Sequence, residues 1–150
     1  MGIFDLKKLD TNNKMNKIES LHLKIVTNIP VLKNKLEIIG NRFEVDTEKL
    51  LIELIKYLVV TNENNKTTSP SYLVDLAWHE FILFTKYYHL FCMENFGKFI
   101  HHTPDSKTNK TGYEFTLKSY KELFGLPPED IWTKNYLLNW KESSCGACHN

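Results

Sequence analysis

Asp75 and His79 stand four residues apart in the apolar run VDLAWHEFI, residues 74–82, and His101 and His102 follow in a polar stretch further on. On a helix, residues four apart lie one turn above each other, so the Asp75 carboxylate can reach the His79 imidazole. Imidazole offers a neutral nitrogen and carboxylate an anionic oxygen, a set suited to zinc or another divalent metal, with the carboxylate either ligating or orienting the ring. The same two groups can also do no more than satisfy each other's hydrogen bonds. Adjacent side chains diverge, so one of His101 and His102 is expected to join the pair as a ligand while the other is a surface or hydrogen-bonding residue. Glu80 would be the nearby acid or base if a bound metal held a reactive water. The zinc-protease pattern does not apply, because His79-Glu80 is followed by Leu83 where a second histidine would be needed.

A second group of ligand-type residues closes the chain. The run CGACH, residues 145–149, matches the pattern of c-type haem attachment, with Cys145 and Cys148 to bond the vinyls and His149 to ligate iron. The same residues could act as a redox dithiol, although the βα context that tunes such thiols is missing, or supply half of a zinc site. They also read simply as a frayed terminus. The apolar start MGIFDLKKLD is interrupted by Asp5, Lys7 and Lys8, which argues against an export signal and hence against haem c.

These groups need elements to place them. Ile18, Leu21, Ile25, Val26 and Ile29 fall at helical spacing before Pro30, and Leu50, Leu51, Leu54, Tyr57 and Leu58 do the same after a possible N-cap at Asp46. Between them, VLKNKLEIIGNRF fits neither helical nor strand period well. Ser69-Pro70 reads as a cap and first helical residue, and Gly97 as a stop, which predicts one long central helix over about 70–96. Projected at about 100° per residue, that helix puts Leu73, Val74, Ala77, Trp78, Phe81, Phe84, Tyr88 and Phe91 opposite Asp75 and His79. The pair shares its arc with Leu76, Leu83 and Leu90, so something should cover part of it; the loop bearing His101 and His102 is the natural cover. Cys92 lies about 220° around from His79, which reads as a buried, inert thiol rather than a nucleophile. His22 and His89 have no partner that spacing identifies. Tyr113, Leu117, Tyr120 and Phe124 mark another helix ending at Gly125, and a short one should cover residues 128–132.

The expected fold is therefore all-α: a compact bundle of about five to six helices, with a single domain over 1–142 and a flexible Cys-containing tail over 143–150. A chain of 150 residues can bury about 68–70% of its unfolded surface in one core. With 19 basic and 18 acidic residues spread along the chain, no electrostatic footprint for nucleic acid or anionic membrane stands out. No apolar run reaches transmembrane length. The expectation is a cytoplasmic protein with reduced cysteines, and the Asn-x-Thr triplets at Asn65 and Asn109 carry no glycosylation meaning there.

Pro70-Ser71, Asp75 with Trp78-His79, Thr85, Tyr88, Phe91-Cys92, Phe96-Gly97, His101-His102 and Pro104 form a pattern over the segment from Ser69 to about Trp132. In that pattern the segment resembles the glycine-rich domain-containing protein-like family. The resemblance implies no established reaction, but it puts Asp75, His79, His101 and His102 on motif positions. Three functions remain in view: a divalent-metal site, zinc first; a metal-free protein-interaction module whose His–Asp pair locks a helix to a loop; and a metal-dependent enzyme of unknown substrate.

Overall fold

A computed structural model describes residues 6–103 and 110–134, and within them every regular element is helical. A 3-10 turn over Leu6–Lys8 precedes seven α-helices: α1 Thr11–Asn28, α2 Val31–Phe43, α3 Thr47–Glu63, α4 Tyr72–Ile82, α5 Thr85–Phe96, α6 Lys110–Phe124 and α7 Glu129–Trp132. The tail carrying Cys145, Cys148 and His149 lies outside the described residues, as does Pro104.

Local signals explain most boundaries. The Asp10 carboxylate accepts from the Asn13 backbone N–H at the start of α1, and Asp46 accepts from that of Lys49 at the start of α3. Pro30 lacks the N–H that would continue α1. The stretch VLKNKLEIIGNRF resolves as helix α2, because Leu32, Leu36, Ile39 and Gly40 form one buried face despite the weak period. Gly40 lets α2 meet the following turn closely: a Cβ there would fall 2.8 Å from the Val45 carbonyl oxygen. Gly97 and Gly125 end α5 and α6 at φ of 73° and 82°, left-handed values that a glycine adopts without strain.

Two expectations need correction. The single long helix over about 70–96 is divided, and the bundle holds seven α-helices among the described residues rather than five or six. Phe84 leaves helical geometry at ψ 60°, and α5 restarts at Thr85. No proline or glycine marks the break; it lets Phe81, Tyr88 and Phe91 all enter the core, where their rings meet edge to face. The helix also begins later than expected, with Ser71 as the cap, its hydroxyl accepting from the Val74 N–H. Because of the break, Leu83 lies at a corner and is 73% exposed, and the angular projection of Cys92 no longer applies. Cys92 is nonetheless fully buried, and burial pushes its thiol pKa up.

The core runs through the middle of the bundle. Helix α3 packs on α1, α2, α4 and α6, while α4 also meets α2, α5 and α7. Apart from the expected site, a buried carboxylate fastens the C-terminal helices. Glu53, on α3, accepts from the Tyr120 hydroxyl at 2.6 Å and the Trp132 indole N–H at 2.8 Å, with Lys56 Nζ 3.3 Å away. Every one of those partners is satisfied by the others, which is how a charge is tolerated inside.

Candidate metal centre

Helix α4 presents Asp75 and His79 on one face, and the segment after Gly97 brings His102 down onto them. His102 Nε2 lies 2.6 Å from Asp75 Oδ1 and 2.9 Å from His79 Nε2, while His79 Nε2 lies 3.5 Å from Asp75 Oδ2. Asp75, although placed by projection on the less apolar arc, is buried; its cover is His102. His101 turns the other way, exposed and packed edge-on against Phe99 with ring centroids 4.6 Å apart. The structure therefore brings Asp75, His79 and His102 together and leaves His101 out.

The loop's position is fixed by a second set of contacts. Tyr88 donates its hydroxyl proton to the Ile100 carbonyl at 2.6 Å and accepts from the Trp78 indole N–H at 2.9 Å. All three residues are buried, so these bonds act where water cannot replace them. Ile100 is thereby pinned two residues before His102, and the Trp78 ring lies against the His102 imidazole with centroids 4.3 Å apart. Trp78 is a core residue, as expected, and also one wall of the site. Sequence reasoning left Tyr88 among the core aromatics; its hydroxyl partner is a backbone carbonyl, which spacing does not reveal.

Beneath Asp75 the Tyr57 hydroxyl is held by Thr68 at 3.1 Å, and Thr68 bonds Thr61 in turn. Burial pushes the Tyr57 pKa up to about 12, with the Asp75 charge adding to the rise against the two threonine hydrogen bonds. Burial likewise lowers the His79 pKa; Asp75 and Glu80 oppose that shift, and the neighbouring His102 adds to it. His79 is thus favoured as a neutral ring with a lone pair to offer. His22 pairs with Glu48 at 3.1 Å and His89 packs near Phe99, both away from this cluster.

Proton accounting at the centre is unusual. A ring nitrogen carries either one proton or one lone pair, and an ionised carboxylate only accepts. If His102 Nε2 is protonated it donates to Asp75 Oδ1, and His79 Nε2 either meets that N–H with a lone pair or carries its own proton towards Asp75 Oδ2 at 3.5 Å. If His102 Nε2 is bare, its lone pair opposes the carboxylate at 2.6 Å. Neither arrangement gives both ring nitrogens and both carboxylate oxygens a short, well-directed hydrogen bond.

A family model described as UCP032817-like matches residues 19–125. The chain belongs to the UCP032817-like family. That family is uncharacterised, and nothing points to a glycine-rich domain-containing family, so the resemblance drawn from the sequence is overturned. Its quoted residues have structural explanations that do not depend on that family: Ser71 is a helix cap, Phe96-Gly97 a helix end, and Trp78, Tyr88 and Phe91 are core. The UCP032817-like match includes Asp75, His79 and His102 together with the Trp78 and Tyr88 that position them. No curated protein and no solved structure matches the chain.

Proposed function

We propose that this protein binds a divalent metal ion, zinc foremost, through His79, His102 and Asp75. The observation that carries the reading is the convergence of two imidazole Nε2 atoms and the Asp75 carboxylate, 2.9 Å apart between the rings and 2.6 and 3.5 Å from the rings to the two carboxylate oxygens. A cation between them meets all three side chains at once. Ligands bound tetrahedrally at zinc distances lie about 3.3 Å apart, so the side chains need to spread by only about half an ångström to admit the ion. The lowered His79 pKa supports the same reading, since only the neutral ring ligates.

A second reading, a metal-free interaction module, draws on the 2.6 Å contact between His102 and Asp75, a good hydrogen-bond length that by itself ties α4 to the loop after α5. Elemental analysis of untagged protein and calorimetric zinc titration separate the two. One zinc per chain is expected in the native protein, with loss of that site in His79→Ala and His102→Ala and retention in His101→Ala and after deletion of residues 143–150. Absence of zinc uptake by the native protein sinks the proposal and leaves the metal-free clamp.

A further inference from the structure

We infer that the metal at this centre keeps a coordination position for an exogenous ligand, a small anionic donor, on the side where His79 meets solvent. This rests on the metal-binding reading above and extends it from capture of an ion to what the ion can take.

Among the described residues, the donors near the cluster are accounted for. Among the described residues the cluster offers three ligating side chains, Asp75, His79 and His102. His101 is committed to Phe99 on the outside of the loop. The Tyr57 hydroxyl is buried and bonded to Thr68, which is held in turn by Thr61. Trp78 has only an N–H, and that N–H is spent on Tyr88. Structural zinc sites are closed by four protein ligands, whereas three ligands with a free position are the mark of sites that bind water or substrate.

Exposure gives the open side. The side chains of Asp75 and His102 are each 11% exposed, shut in by the helix and by the Trp78 ring, but that of His79 is 29% exposed. An incoming ligand therefore approaches along His79. Charge gives its class. Two neutral imidazoles and one carboxylate leave a divalent ion with one uncompensated positive charge, which an anionic oxygen or nitrogen donor would cancel. Glu80 acts electrostatically on His79 but is not among the converging atoms.

The Tyr88 bonds to Ile100 and Trp78 hold the loop through groups other than the three ligating side chains.

Cobalt(II) replaces zinc in such sites and reports its coordination by visible absorption, so full-length protein loaded with cobalt and titrated with azide tests the inference. A saturable shift of the cobalt spectrum with azide is expected, with the starting spectrum free of thiolate-to-cobalt charge transfer. A spectrum that azide does not move, or one showing charge transfer from Cys145 or Cys148, overturns the open position while the metal site itself stands. Failure to bind cobalt removes both, and is told apart by the missing absorption band.

Discussion

At the residue scale the centre depends on what state His79 and its neighbours hold. Burial lowers the His79 pKa below its ordinary 6.5. The unfolded chain then binds that proton more tightly than the folded one, so the contribution of neutral His79 to stability is full above 6.5 and is lost as pH falls through the lower folded value. Metal-free protein is accordingly expected to lose urea midpoint between about pH 7 and about pH 5, and His79→Gln to lose less of it over the same range. Identical pH profiles for the two proteins would show that His79 does not titrate as its burial requires. Much of this was legible in advance: the spacing of Asp75 and His79 put them together, and the polar stretch after Gly97 was their expected cover. The choice of His102 over His101 was not, since it follows from the path of the loop after Gly97 and from a bond between Tyr88 and a backbone carbonyl. Glu53 shows the opposite case. It shares a helical face with Leu50 and Tyr57, a sign of burial, but its partners Tyr120 and Trp132 are far along the chain.

At the scale of elements, the site is a junction between α4 and the segment that follows α5, and Tyr88 is what joins them. Tyr88→Phe keeps the ring but leaves the Trp78 N–H and the Ile100 carbonyl buried without a partner. That is expected to cost about 1–3 kcal/mol of stability in a urea titration. It should also weaken zinc binding about tenfold by releasing the loop that carries His102. A variant as stable as the native protein, with unchanged zinc affinity, would mean the loop is held by something else. Capping chemistry made Asp46, Gly97 and Gly125 readable as element ends. The break at Leu83 and Phe84 was hidden because neither residue is a helix breaker. Only the packing of Phe81, Tyr88 and Phe91 into one core forces the chain to turn there.

At the scale of the whole molecule, α3 and α4 form the centre against which the other helices pack, and α4 carries Asp75 and His79. An ion bound only by the folded chain stabilises it by mass action. Free zinc about 100-fold above its dissociation constant is expected to add about 2.7 kcal/mol, seen as a rise in the thermal midpoint. A chelator should reverse the rise without reducing the helical circular dichroism, because the core and the Tyr88 contacts do not involve the ion. Loss of helix on chelation would assign the metal to holding the fold together. No described helix is long and apolar enough to cross a membrane.

The most direct measurement is anomalous diffraction at the zinc edge from crystals of the full chain grown with zinc. The account predicts one strong peak bonded at about 2.0–2.2 Å to His79 Nε2, His102 Nε2 and an Asp75 oxygen, with His101 uninvolved. Zinc-soaked crystals with no peak among these three residues, their hydrogen bonds unchanged, would contradict it.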